Sequence, residues 1–172
     1  MKFLKILFAF TALFGSYSLV CGQPNAWNGI VPLISTRANV ENILGKPTPM
    51  PHSVSPYIER YITKDGRISV TYSTGPCMVK SSNGWDVPEF TVVSILFHPD
   101  DLPKVADVKL DQQRFEKRPD QGVLYTTVYT SKTDGISLTV DDMGGSVVFF
   151  NYFPESKYDY LKCKKPSPQK IG

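Results

Sequence analysis

Between Tyr57 and Phe153 the apolar residues return at every second position in short runs, and each run is closed by Gly, Asp or Pro. A period of two places alternate side chains on opposite faces of an extended chain, so most of this sequence is committed to strands. The clearest case is Arg67-Ile-Ser-Val-Thr-Tyr-Ser-Thr74, where Ile68, Val70 and Tyr72 face one way and Ser69, Thr71 and Ser73 the other. Tyr57 to Thr63 precedes it across Lys64-Asp65-Gly66, a sequence that tolerates positive φ, and the two runs predict a β-hairpin. Thr91 to Phe97 is a third strand, ended by His98-Pro99-Asp100. Val123 to Thr130, Ile136 to Asp141 and Val147 to Phe153 follow, joined at Asp134-Gly135 and Met143-Gly144-Gly145, and predict a three-stranded meander. The last of them is apolar on both faces, with Val147, Phe149 and Phe153 on one and Val148, Phe150 and Tyr152 on the other. Such a strand is central and covered twice, or it shows one face to a partner.

One segment carries the helical signal. Over Ser35 to Leu44, Ser35 or Thr36 can cap the exposed N–H groups, Val40, Ile43 and Leu44 share a face, and Gly45 and Pro47 stop the turn. The connection Pro47 to Pro56 cannot continue a helix or a ladder. The loop Gly75 to Glu89, with Cys77, Gly84, Trp85 and Pro88, is too rich in breakers for regular structure. Leu102 to Gln121 is charged and reads mostly as loop, with room for a helical turn around Asp111 to Glu116. The expected architecture is α+β: an antiparallel sheet of about six strands, hairpin plus meander, with one short helix packed on it.

Residues 1–22 have the form of a secretory leader: Lys2 and Lys5, an apolar stretch from Ile6 to Phe14, and small residues around Val20-Cys21-Gly22. The uncharged run from Ile6 to Val20 is shorter than the roughly 20 residues that span a bilayer, so no membrane-spanning helix is expected in the mature chain. Cleavage after Gly22 would start the mature protein at Gln23. The rival processing route, lipid attachment at Cys21, is disfavoured by Val20, where Gly, Ala or Ser is normal. The expected product is periplasmic or extracellular, with one domain over residues 23–163 and a disordered basic tail over 164–172. Outside the leader only Cys77 and Cys163 remain, and in an oxidising compartment they are expected to form a disulfide.

The full chain has 19 basic and 16 acidic residues, and loss of Lys2 and Lys5 leaves 17 against 16, about +1. That balance supplies no field for holding nucleic acid. The positive excess behind the pI of 8.7 lies at the end, where Lys162, Lys164, Lys165 and Lys170 follow the last acid, Asp159.

Candidate chemistry is sparse. His52 lies between prolines, and His98 closes a strand beside Asp100 and Asp101 without a recognisable ligand spacing, so no metal is expected. Cys77 could serve as a thiolate nucleophile only with a lowered pKa and a nearby base, and a disulfide explains it with fewer assumptions. Asp141-Asp142-Met143-Gly144-Gly145 lacks the alternating oxygens of a calcium loop and reads as a turn. There is no phosphate-cradling glycine loop, no Gly-x-Ser-x-Gly elbow, no His-Glu-x-x-His and no Asn-x-Ser/Thr. No catalytic residue and no cofactor are therefore expected. Trp27 and Trp85 stand outside the strand pattern and are the candidate partner-binding side chains, although Trp85 also suits the sealing of a sheet edge.

The residues Ile30-Val-Pro-Leu-Ile-Ser-Thr-Arg-Ala-Asn-Val-Glu-Asn-Ile-Leu-Gly-Lys-Pro47 give a short apolar lead, a Ser/Thr cap, a helix with Val at its middle and Leu-Gly-x-Pro. This pattern resembles the helix-then-sheet motif of the SmpA/OmlA outer-membrane assembly lipoproteins and of the β-lactamase-inhibitor-like fold, and uncharacterised exported bacterial proteins with the same Ser-Thr-Arg helix. The resemblance implies a binding module without catalytic residues. The functional expectation is an exported, non-catalytic binding or scaffold protein of the cell envelope that meets a protein partner through a sheet face or the Gly75 to Glu89 loop. The alternatives are a small secreted hydrolase or other enzyme with a site at His98, Asp100 and Cys77 or nearby hydroxyls, and a carrier holding a lipid or small ligand between sheet and helix.

Overall fold

The computed structural model describes residues 25–49, 55–77, 84–108, 112–120, 122 and 125–164. The leader with Cys21, His52 and the tail beyond Lys164 lie outside the described residues. Seven strands form one antiparallel sheet: β1 Ile58–Thr63, β2 Gly66–Tyr72, β3 Val92–Pro99, β4 Glu116–Pro119, β5 Thr126–Ser131, β6 Ile136–Asp141 and β7 Ser146–Tyr152. Their order across the sheet is β1-β2-β3-β7-β6-β5-β4. The expected hairpin is β1-β2 and the expected meander is β5-β6-β7, with β7 at the centre. The strand beyond the expected six is β4, in a segment read as loop. Its sequence, Glu-Lys-Arg-Pro, has no apolar alternation, all four residues are exposed, and it is held by its ladder to β5, with Lys117 Nζ 5.6 Å from the centre of the Tyr129 ring. Charges and a proline suit an edge strand that must not pair further.

The helix α1 spans Arg37–Leu44. Thr36 is its cap: the hydroxyl accepts from Asn39 N at 3.4 Å and Asn39 Oδ1 accepts from Thr36 N at 2.8 Å. Ser35, the other candidate, instead accepts from Val31 N at 2.9 Å and so shapes the lead-in turn. Val40 is fully buried and Leu44 half-buried, but Ile43 is 47 % exposed, which corrects the expectation of a three-residue apolar face. A helix of two turns offers the sheet only a narrow stripe.

One sheet face is covered in two parts. Over β1-β3, Trp27, Ile30 and Val40 close on Tyr61, Ile68, Val70, Tyr72 and Ile95. Each fully buried aliphatic side chain there contributes about 1.5–3 kcal/mol. Over β5-β7, Val105, Val108 and Phe115 close on Leu138, Val140 and Val147. The segment supplying them is anchored by Arg114, which pairs with the buried Asp134, itself bonded to the Ser131 hydroxyl at 2.7 Å.

Two register shifts set which side chains reach this core. Thr71 pairs with Ser94 but Tyr72 with Val92, and Thr139 pairs with Phe149 but Val140 with Val147, leaving Val93 and Val148 unpaired. Such bulges turn the strand by one residue. Val147 is thereby buried on the same side as Val140 and Phe150, and not beside Phe149 as strict alternation requires. Gly66 is not the centre of its turn but the first residue of β2, paired with Thr63.

Candidate functional site

The second face of the sheet is polar in its middle. The registers Leu96↔Asn151, Asn151↔Ser137, Ser137↔Thr130 and Thr130↔Glu116 lay one row of side chains across β3, β7, β6, β5 and β4. Facing neighbours in such a row stand roughly 4.5–5.5 Å apart at Cβ. Asn151, Ser137 and Thr130 therefore set an amide and two hydroxyls side by side. Arg118, two residues along β4 from Glu116, points to the same side.

A wall rises over one end of this row. The Gly75 to Glu89 loop, expected to be irregular, pairs with the C-terminal segment: Asp86 N donates to Leu161 O at 2.8 Å and Cys163 N to Gly84 O at 2.9 Å, with a bridge between Trp85 and Lys162. The expected disulfide joins Cys77 and Cys163, with Cα atoms 5.3 Å apart, and ties the two segments together. Just before it, the 3-10 turn Ser156–Leu161 completes the wall. Between wall and sheet lies a cleft of about 460 Å³, lined on the sheet side by Ser94, Asn151, Ser137, Thr130 and Arg118 and on the wall side by Trp85, Ser156, Asp159 and Lys162, with Lys132 at its rim. Its size is that of a small-ligand site.

Three cations, Arg118, Lys132 and Lys162, face one acid, Asp159. Lys162 Nζ lies 2.7 Å from Asp159 Oδ1 and 5.4 Å from the centre of the Trp85 ring, which fixes the ring from one side. Among the described residues Arg118 and Lys132 have no ion-pair partner. Thr130 Oγ1 is buried without a hydrogen-bond partner. A buried, unmade hydrogen bond costs about 1–3 kcal/mol, which a ligand would relieve where the side chain turns this oxygen toward the cleft.

The other sequence candidates are placed differently. Trp27 is 8 % exposed and belongs to the core, its ring centre 5.4 Å from that of Phe97. The His98 ring meets Arg67 Nη2 at 3.4 Å and the Pro99 carbonyl at 3.2 Å, and it stands T-shaped to Phe149 with ring centres 5.0 Å apart. A guanidinium can donate to an imidazole but cannot take its proton, and Cys77 is bonded to Cys163 and so is not a free thiol. The Asp141 carboxylate accepts from Met143 N at 3.2 Å and Gly144 N at 2.8 Å, the work of a turn. Among the described residues no group of three or more His, Cys, Asp or Glu is placed to hold a metal ion.

A second polar cluster sits between α1 and the sheet. Glu59 Oε2 accepts from the hydroxyls of Tyr61 at 2.7 Å and Tyr72 at 2.9 Å, and Arg37 Nε approaches Oε1 at 3.0 Å, near enough to pair but not aligned along its N–H. Burial, followed by these bonds, drives both phenols well above the ordinary tyrosine range. They remain neutral donors, and the cluster bolts helix to sheet. A further hollow of about 430 Å³ lies on the polar face beside the edge strand β1, between Arg60, Arg67, Ile62 and Leu96.

The residues of the cleft floor were invisible as a group in the sequence. Each stands one place from a core residue in its own strand, but only the register brings them into one row. Compared with family models, curated proteins and solved structures, the chain matches none.

Proposed function

We propose that this chain is an exported binding protein of the cell envelope that works without catalytic chemistry and takes its ligand in the cleft beneath Trp85. The leader-like residues 1–22 and a disulfide linking positions 86 residues apart support the exported setting. The reading is carried by one observation: a row of hydrogen-bonding side chains, including the unpartnered Thr130 hydroxyl, lies under a braced aromatic wall. Pre-formed polar groups of this kind fix the orientation of a bound molecule. Among the described residues no helix is long and apolar enough to cross a membrane.

A scaffold role with a protein partner, like that of the lipoprotein and inhibitor-like families named above, is favoured at a different place. Ile62, 71 % exposed on the edge strand β1, stands with Leu96 between Arg60 and Arg67. Native mass spectrometry separates the two readings. Mature protein incubated with desalted envelope extract is expected to retain a small-molecule adduct that Trp85→Ala and Thr130→Val both lose. An adduct-free protein that instead retains a polypeptide would replace the ligand-binding reading with the scaffold one.

A further inference from the structure

Resting on the cleft as a ligand site, we infer that its ligand is a small acidic saccharide, one or two sugar rings carrying a carboxylate. The first argument is about what the floor can offer. It comes from β3, β7, β6 and β5, and these are interior strands whose backbone N–H and C=O groups pair with one another. A peptide that binds by adding a strand needs a free edge, and the four floor strands offer none; the edge strand beside them, β4, is four residues long and carries charges and Pro119. Recognition must run through side chains, and those present are hydroxyls and an amide: Ser94, Ser137, Thr130 and Asn151. Each can both donate and accept, which is what a ring of alternating hydroxyls requires.

The second argument is the charge. Arg118 and Lys132, free of ion-pair partners among the described residues, face a cleft in which the third cation, Lys162, is already matched by Asp159. Two negative charges would balance them, and a guanidinium takes a carboxylate through two parallel bonds. The third is the wall. Trp85 is half-buried, lines the cleft and is held from one side by Lys162, so it presents a fixed apolar plate beside the polar row. A sugar ring has an apolar face of C–H groups and a polar rim, and it meets a plate and a row together. An extended lipid would leave the row unpaired, at a cost for every buried polar group.

The test uses the mature, disulfide-bonded protein and three probes: digalacturonate, the uncharged disaccharide galactobiose and a glutamate-rich tetrapeptide. Amide resonances of Ser94, Thr130, Ser137 and Asn151 and the Trp85 indole N–H are followed by NMR. Digalacturonate is expected to shift all of them and to bind about tenfold or more tightly than galactobiose, the gain of a charge-assisted bond. Arg118→Gln and Lys132→Gln, both on exposed positions, are expected to keep the spectrum's dispersion and erase that preference. Thr130→Val, which keeps the side chain's shape, is expected to weaken both sugars. Equal binding of the two sugars, or tighter binding of the tetrapeptide at the same resonances, would overturn the ligand class and leave the cleft as a binding site. No shift with any probe also overturns it, and if the small-molecule adduct is missing as well, the cleft reading itself falls.

Discussion

The guanidinium of Arg37 lies 3.9 Å from the centre of the Phe90 ring, stacked over it at the start of α1. Phe90 adopts φ 61, a left-handed conformation that costs a bulky residue about 1–3 kcal/mol. Two backbone bonds hold it there: Arg37 N donates to Phe90 O at 3.0 Å and Phe90 N to Ser73 O at 2.9 Å. Arg37 thus joins helix, loop and, through Glu59, the edge strand β1. Arg37→Ala is expected to destabilise the fold by about 2 kcal/mol, below the roughly 3–5 of a fully buried pair because both side chains keep some water contact. Arg37→Lys keeps the charge but loses the planar stack and should recover less than half of that loss. Glu59→Gln should cost only about 1 kcal/mol, since the amide oxygen still accepts from the two phenols. Urea unfolding midpoints give the order, and a lysine variant as stable as the parent would show that charge alone matters.

Removing the bridge between Cys77 and Cys163 frees a loop whose ends are 86 residues apart. Chain entropy puts the loss at about 4–5 kcal/mol. A Cys77→Ser, Cys163→Ser protein is therefore expected to unfold at much lower denaturant, and any remaining folded protein should show a shifted Trp85 indole resonance, because the cleft wall loses its brace. A folded double variant with an unmoved indole would mean that the backbone bonds from Asp86 to Leu161 and from Cys163 to Gly84 hold the wall unaided.

Local signals were legible, and those that depend on register were not. The hairpin, the meander, the Thr36 region as helix start and the pairing of the two cysteines follow from neighbours in sequence or from simple counting. The strand Glu116–Pro119 did not announce itself, since it is held by the ladder to β5 and not by apolar side chains of its own. Strict alternation misplaced Val147 because the unpaired Val148 shifts the phase. Trp27 stood outside the strand pattern because nothing near it in sequence shows that the lead-in segment folds back onto Phe97. The polar row failed for the same reason: Thr130, Ser137 and Asn151 become neighbours only through pairings among three strands.

High pH should open the fold through buried phenols. Tyr152 is pushed up to about 12 by burial, and Tyr61 and Tyr72 are also driven upward by burial. For an acid whose folded pKa exceeds its unfolded value near 10, the unfolded chain releases its proton first. The native state then holds more protons than the unfolded one, so stability falls as pH rises. Stability should be flat from neutral pH to about 10 and drop beyond it, with Tyr152 alone contributing about 2–3 kcal/mol by pH 12. Tyr152→Phe, measured by denaturant unfolding across that range, should make the alkaline limb shallower and leave the share of Tyr61 and Tyr72. An unchanged limb would place the titrating phenols elsewhere.

Gly66 and Gly29 separate two reasons for glycine. At Gly29, with φ 81, an added Cβ would meet nothing within 4 Å, so alanine there pays only for its backbone conformation, about 1 kcal/mol. At Gly66 the Cβ would lie 2.3 Å from the His98 carbonyl oxygen and 2.9 Å from Pro99 Cα, both in the backbone of β3. Neither atom can turn aside, so β2 and β3 must separate where Gly66 pairs with Pro99. Gly66→Ala is expected to cost about 3 kcal/mol, the upper end of an overpacked site. The separation begins at the β1-β2 hairpin, away from Trp85, so the amide resonances of Ser137 and Thr130 should stay in place while those of Arg67 and His98 move. Equal losses for the two alanines would mean that the strand pair yields freely, and that Gly66 serves its φ of 148 alone.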